Sequence, residues 1–180
     1  TSVVLSGRRD AVDAVVAALT TETAATPNRI PAPVKIKKLN VSHAFHSPLM
    51  EPMLEEFRRV AADITYHEPK LALIANVTGK LAGAEISTPA YWVRHVRDAV
   101  RFADGVAALL AQGIDTFLEI GPHPVLIGMA QTMIEARENQ PATRFEAESP
   151  DGQTKYPKPN VKCYLPSLRS TQPDWQQMLT

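Results

Sequence analysis

The chain has 180 residues, of which 44% are hydrophobic and 21% are charged, a composition typical of one globular domain. Nineteen basic residues balance nineteen acidic residues, so no concentrated basic field indicates a nucleic-acid or anionic-membrane surface. No apolar run approaches the roughly 20 residues that cross a bilayer. The single cysteine, Cys163, excludes an intrachain disulfide and fits a reducing compartment, so the cytoplasm is the predicted location.

The first segment, residues 1–42, is predicted to contain a strand, a turn, a helix and a second strand. The run "VVL" ends at Ser6-Gly7, and the apolar residues of "RRDAVDAVVAAL" recur at helical spacing. A Thr/Ala/Pro-rich stretch follows and leads into "VKIKKLNVS", which is typical of an edge strand with lysines on its solvated side. The segment begins without an initiator Met, and we expect it to continue from a longer polypeptide.

The second segment, residues 43–136, alternates helices and strands. A helix is predicted from Pro48 to about residue 63 with Ser47 as its cap, followed by a strand in "LALIANVTG" that is buried on both faces. Two further helices are predicted over residues 91–96 and from 101 to just before Gly113, and "DTFLEIGPHPVLIGMAQTMI" predicts strand, turn and helix. This alternation favours a parallel sheet in an α/β core.

The third segment, residues 137–180, is dense in Pro, Gly and charge at first, as in an exposed insertion or linker. Packing residues return in "YLPSLRSTQPDWQQML". We expect Leu165, Leu168 and Trp175 to be the anchors of this last stretch.

The candidate chemistry lies in "NVSHAFHSPLMEPM", where His43 and His46 are separated by three positions. A metal site is disfavoured, because both rings precede the helix and no Cys, Asp or Glu occurs between Asn40 and Met50 to complete a ligand set. Two interpretations remain about equally supported by the residues themselves. One is a general base that faces a cleft, and the other is a buried, hydrogen-bonded histidine.

Three stretches resemble one family: "VSHAFHSPLMEPMLEEFR", "YWVRHVRDAVRFADGVAALLAQGIDTFLEIGPHPVLIGM" and "YLPSLR" are similar to the C-terminal half of the acyltransferase domain of modular type I polyketide synthases. That family is related to malonyl-CoA:acyl-carrier-protein transacylases. The resemblance implies an α/β fold in three parts. These are a partial ferredoxin-like small subdomain (1–42), the second half of a hydrolase-like core with parallel strands (43–136), and an insertion with the post-acyltransferase linker (137–180).

The resemblance also implies a reaction and roles for individual residues. In the family, a serine in a Gly-His-Ser-x-Gly turn attacks an acyl-CoA thioester, and the acyl group then passes to the phosphopantetheine thiol of an acyl carrier protein. His46 matches the histidine that acts as the base. His95 matches the residue whose main-chain carbonyl orients that histidine, a role that needs the backbone and not the imidazole.

The tetrapeptide "HAFH" resembles the form that selects malonyl units, so His43, Ala44 and Phe45 are predicted to line the substrate pocket. Phe45 would occupy the space that the α-methyl branch of methylmalonyl-CoA requires. One methyl group in a pocket discriminates by about 1–3 kcal/mol. Malonyl-CoA is the expected substrate, and no bound cofactor or metal is expected.

The sequence contains no Gly-x-Ser-x-Gly motif, so the nucleophile and the carboxylate-binding arginine are expected upstream, and the isolated chain is predicted to be inactive. The linker motif implies that the ketosynthase and linker domains of the same polypeptide, together with an acyl carrier protein, are the partners. Two alternatives stay open: an editing acyl hydrolase of the same fold, and a non-catalytic docking fragment of a megasynthase.

Overall fold

The computed structural model describes residues 3–25, 35–121, 123–138, 161 and 163–166. The chain forms two compact units. One contains residues 3–72 and 82–100, and the other contains residues 73–81 and the chain from residue 101 onward. These units do not follow the three segments drawn from the sequence, whose boundaries stay a prediction.

The unit of residues 3–72 and 82–100 is helical in its described part. It contains helices α1 (Arg9–Ala25), α2 (Leu54–Ala62) and α3 (Pro89–Arg97), and 3₁₀ helices at Pro48–Met53 and Ala84–Ser87. Its buried apolar side chains are those of Met50, Ala61, Ile86, Tyr91 and Val93. They come from both 3₁₀ helices, α2 and α3, so these elements pack on a shared core.

The other unit carries the strands. An antiparallel pair joins β1 (Ile74–Ala75) to β2 (Lys80–Leu81), and a parallel pair joins β3 (Thr116–Glu119) to β4 (Cys163–Pro166). Helices α4 (Phe102–Ala111) and α5 (Val125–Glu138) pack beside them around a core whose centre is Val106, Ala130 and Ile134.

Helix boundaries agree with the local signals in the sequence. Ser47 caps the 3₁₀ helix as predicted, and α4 ends two residues before Gly113, which has a φ of 78°. One detail differs from the prediction: the single helix predicted over residues 48–63 is divided into a 3₁₀ helix and α2. Pro52 lies in the first part, and its missing N–H and its ring interrupt the regular α-helical bonds there.

The strand predictions were mostly wrong. Residues 3–5 and 35–41 are not strands, and in "LALIANVTG" only Ile74–Ala75 is one, paired antiparallel with a short neighbour. Leu71 is 84% exposed, whereas a strand covered on both faces would bury it. A strand is held by ladder bonds to a neighbour, and among the described residues no strand lies beside residues 3–5 or 35–41.

Cys163 and the first three residues of the motif "YLPSLR" form β4, which the sequence did not predict as a strand. Cys163 pairs with Thr116 and Leu165 with Leu118, in parallel register. The described part of the predicted linker therefore pairs with this chain's own sheet, although Leu165 remains 46% exposed. Leu168 and Trp175 lie outside the described residues.

The α/β class is confirmed, and β3 and β4 supply the expected parallel pairing. The carboxylate of Glu119, at the end of β3, caps α5. Its Oε1 accepts from the N–H groups of Val125 and Leu126 at 3.2 and 3.1 Å, and its Oε2 accepts from that of Ile127 at 2.8 Å. Among the described residues, no helix combines the length and apolar character of a membrane span.

Candidate active site

The segment "HAFH" forms a turn that leads into the 3₁₀ helix, and the backbone of His46 is its unusual feature. His46 has a φ of 61°, and among the described residues it is the one non-glycine residue with a positive φ. Left-handed backbone is uncommon for residues with a β-carbon and occurs often at functional sites. His46 is half-buried, so its ring is neither sealed in the core nor free in solvent.

Two hydrogen bonds join His46 to the C-terminal end of α3. Its main-chain N–H donates to the carbonyl of Val96 at 3.0 Å, and its ring Nδ1 lies 2.8 Å from the carbonyl oxygen of Asp98. A carbonyl oxygen has no proton to donate, so Nδ1 carries the hydrogen and Nε2 keeps its lone pair. The neutral ring is thus held in the tautomer that can accept a proton at Nε2.

This geometry corrects the carbonyl that the resemblance assigned to His95. The acceptor for Nδ1 belongs to Asp98, just beyond the end of α3 at Arg97. Carbonyls inside a helix point along its axis toward the C-terminus. Asp98 has extended backbone, with φ −80° and ψ 153°, so its carbonyl turns out of the helical direction and reaches the ring.

The side chain of His95 nevertheless lies beside the candidate base. Its ring meets that of His46 edge-on, with centroids 5.8 Å apart, and stacks on Tyr91 at 6.0 Å. The ring centroid of Trp92 lies 5.8 Å from that of His95, and the Nε1–H of Trp92 donates to the carbonyl of Ile86. Burial, and secondly the nearby charge of His46, lower the pKa of His95, which favours its neutral form.

The other predicted pocket residues lie in the same turn. The ring of Phe45 is 6.3 Å from that of His43 and 6.4 Å from that of His46, and it is 47% exposed. Ala44 is half-buried and His43 is exposed. The structure thus brings His43, Phe45 and His46 together as three adjacent rings.

Sequence reasoning missed two groups that shape this turn. One is the carbonyl of Asp98: every residue has a main-chain carbonyl, so the identity of the side chain does not mark it. The signal in the sequence is the predicted end of the helix near residue 96. The hydroxyl of Ser6 donates to the carbonyl of Phe45 at 2.6 Å across 39 positions of sequence. No local pattern indicates a contact of that separation.

Across residues 3–25, 35–121, 123–138, 161 and 163–166, no group of three or more His, Cys, Asp or Glu side chains is arranged to hold a metal ion. The described side chains of this turn present an oriented imidazole beside an aromatic ring.

Comparison with known proteins places this geometry in a family. The family described as acyl transferase domain matches residues 1–155. Polyketide synthase GfsA of Streptomyces halstedii is 52% identical over 123 residues, which cover 64% of this chain and 2% of the synthase. A phenolphthiocerol synthesis polyketide synthase type I of Mycobacterium marinum is 45% identical over 139 residues, which cover 76% of this chain and 6% of that protein.

Solved structures agree. The acyltransferase domain from the second module of the salinomycin polyketide synthase superposes with a TM-score of 0.65 at 38% identity, over 92% of this chain and 32% of that one. The malonyl-CoA:acyl carrier protein transacylase of Xanthomonas oryzae superposes with a TM-score of 0.61 at 26% identity, over 72% of this chain and 38% of the other. The chain thus spans about a third of the solved domains, and it belongs to the acyl transferase domain family.

Proposed function

We propose that this chain supplies the base of an acyltransferase domain that moves a malonyl unit from CoA to the phosphopantetheine thiol of an acyl carrier protein. The observation that carries the proposal is the 2.8 Å bond between His46 Nδ1 and the carbonyl of Asp98. This bond leaves Nε2 as a proton acceptor in a fixed direction. A buried histidine with only a structural role has no need of a strained backbone beside an exposed aromatic ring.

The reaction runs in two half-reactions. In the first, a serine hydroxyl from the remainder of the domain attacks the thioester carbon and gives its proton to His46 Nε2. The new C–O bond replaces the C–S bond, and the imidazolium returns the proton to the departing CoA sulfur. In the second, the carrier thiol gives its proton to Nε2 and attacks the acyl ester, and the proton then passes to the serine oxygen.

The carbonyl of Asp98 assists each proton transfer. While Nε2 gains and loses a proton, Nδ1–H keeps its acceptor, so the ring does not reorient during the cycle. The bond also strengthens when the ring becomes positive, because charge-assisted hydrogen bonds are shorter and stronger than neutral ones. The Nδ1–H donor is charged in this state, because the ring is then an imidazolium.

Selection of the acyl group is proposed to depend on Phe45, with His43 and Ala44 as neighbouring pocket residues. The Phe45 ring lies beside both histidine rings of the turn, where it would meet a branch on the carbon next to the reacting carbonyl. Malonyl-CoA has no such branch, whereas methylmalonyl-CoA carries a methyl group. A discrimination of about 1–3 kcal/mol corresponds to roughly 10- to 200-fold in kcat/KM.

The partners follow from the same proposal. An acyl carrier protein presents the accepting thiol, and the ketosynthase and linker domains belong to the same polypeptide. Two kinds of relative support this: polyketide synthases of which this chain covers 2–9%, and a transacylase named for its acyl carrier protein substrate.

The proposal is tested in the complete acyltransferase domain that contains this chain. Radiolabelled malonyl-CoA and methylmalonyl-CoA are offered to wild type, His46→Ala, Phe45→Ser and a control, His67→Ala, which removes an exposed imidazole. His46→Ala should lower single-turnover loading at least 100-fold. His67→Ala should load normally, and Phe45→Ser should raise methylmalonyl loading relative to malonyl loading.

Other results would contradict specific parts of the proposal. Normal loading by His46→Ala would remove the base from the mechanism. Rapid release of free malonate with little transfer to carrier protein would indicate an editing hydrolase. Failure of the wild-type domain to load any acyl-CoA, with retained binding of carrier protein, would indicate a docking role. An unchanged ratio in Phe45→Ser would refute the size filter alone.

A further inference from the structure

Ser47 follows the candidate base directly, and its side chain is the most enclosed polar group of the described residues. It is 1% exposed. Its Oγ–H donates to the carbonyl of Ala44 at 2.7 Å, and the same oxygen accepts from the N–H of Leu49 at 3.2 Å. The hydroxyl thus bonds backward across the turn and forward into the 3₁₀ helix.

The bond from Ser47 to Ala44 spans His46. Residues 44–47 form a four-residue turn with positive φ at its third position, an arrangement that glycine or asparagine ordinarily adopts. His46 has a φ of 61° there, so a contact must hold it against its preference for negative φ. The bond from Ser47 to Ala44 spans the turn and performs that function.

The conformation of His46 in turn sets the direction of its ring. Both of its bonds to the end of α3, from the main-chain N–H to Val96 and from Nδ1 to Asp98, are made while its backbone is left-handed. Without the hydroxyl, the carbonyl of Ala44 loses a buried donor and the turn can relax to ordinary φ. That change would move the ring away from the Asp98 carbonyl.

We infer that Ser47 is a positioning residue for the base, because its hydroxyl holds the left-handed turn that aims the His46 ring. This inference rests on the proposed role of His46 and goes beyond helix capping. A cap alone would affect the stability of the fold. A positioning residue also affects the rate of proton transfer, because an error of about 1 Å in a reacting group costs up to about 100-fold.

The structure offers a matched control at the start of α3. Thr88 uses its hydroxyl in the same two ways, since Oγ1 donates to the carbonyl of Glu85 at 2.7 Å and accepts from the N–H of Tyr91 at 3.3 Å. It precedes no histidine. Thr88→Ala therefore removes the same pair of bonds at a helix start that holds no base.

The experiment compares Ser47→Ala, Ser47→Cys, Ser47→Thr and Thr88→Ala in the complete acyltransferase domain. For each variant, the Tm, the single-turnover rate of serine acylation by malonyl-CoA and the KM are measured. Ser47→Ala should slow acylation about 10- to 100-fold, with KM changed less than about threefold. The weak donor of Ser47→Cys should give a smaller loss. Ser47→Thr should restore the rate, and Thr88→Ala should lower Tm without slowing acylation.

A spectroscopic measurement reports the ring directly. In histidine labelled with ¹⁵N, the Nδ1 proton bound to a carbonyl gives a low-field signal in the wild type. That signal should weaken in Ser47→Ala and return in Ser47→Thr.

The inference is overturned if Ser47→Ala and Thr88→Ala have equal acylation rates, or if the Nδ1 signal is unchanged in Ser47→Ala. If the alanine variant does not fold, a wild-type rate in Ser47→Cys overturns it equally. These failures differ from failure of the proposed function, in which His46→Ala would itself load normally.

Discussion

Alanine in place of Gly79 should destabilise the fold by about 2–5 kcal/mol. Gly79 has a φ of 65° in the turn between β1 and β2, and left-handed backbone costs a residue with a β-carbon about 1–2 kcal/mol. A β-carbon there would also lie 2.5 Å from Cβ of Asp104 and 3.1 Å from the carbonyl oxygen of Arg101. Neither atom is the flexible end of a side chain, and overpacking of this kind adds about 1–3 kcal/mol.

Gly113 is the matched control, because it has a φ of 78° and no atom within 4 Å of the position of an added β-carbon. Gly113→Ala should therefore cost the backbone term alone, about 1–2 kcal/mol. Urea denaturation of the complete domain measures both variants, and the m-value should stay constant while the midpoints fall. Equal losses in the two variants would refute the steric argument, since contact with α4 is the difference between the sites.

Three further measurements test contacts outside the turn. Glu119→Ala should destabilise the domain by about 1–2 kcal/mol through loss of the α5 cap. If urea denaturation gives the variant and the wild type the same free energy of unfolding, Glu119 does not stabilise the domain as a cap. The lowered pKa of His95 means that the unfolded state protonates first as pH falls, so stability should decline below pH of about 6.5. His95→Gln should flatten that decline, whereas an identical pH profile would contradict the assignment. The 2.8 Å ion pair of Glu51 and Arg97 should show a coupling of about 0.2–1 kcal/mol in a double-mutant cycle, and strict additivity would show that it contributes nothing.

The parts of the fold that the sequence predicted are those decided by neighbouring residues. Ser47 and Pro48 indicated a helix start, and Gly113 indicated a helix end, because caps and stops act within a few positions of the chain. Strands depend on partners distant in sequence. Residues 3–5 include two β-branched valines but have no neighbouring strand among the described residues, while β4 forms in a proline-containing stretch, the predicted linker, because β3 lies beside it.

In the candidate site, too, local sequence indicates some features, whereas others depend on contacts between residues far apart in the chain. The resemblance identified His46 from its immediate flanks, and the structure gives its ring an acceptor at the end of α3. The resemblance assigned that acceptor to His95, whereas in the structure the carbonyl of Asp98 bonds the ring, because the direction of a carbonyl depends on ψ and on where a helix ends. The contact from Ser6 to Phe45 connects positions 39 apart, and only the folded chain reveals it.

The ring of His46, the proposed base, has a main-chain carbonyl as the acceptor of its Nδ1 proton and not a carboxylate. A carboxylate beside an imidazole must itself be desolvated, and a buried charge is costly unless it is fully hydrogen-bonded. A carbonyl carries no net charge, so the ring of His46 can remain half-buried with a neutral partner in its resting state. The carboxylate of Asp98 is thereby free for a different contact, and it lies 3.3 Å from Arg94 at the exposed end of α3. In the proposed mechanism, orientation of the base therefore depends on backbone geometry, on the positive φ of His46 and on the buried hydroxyl of Ser47, and not on a charged partner of the ring.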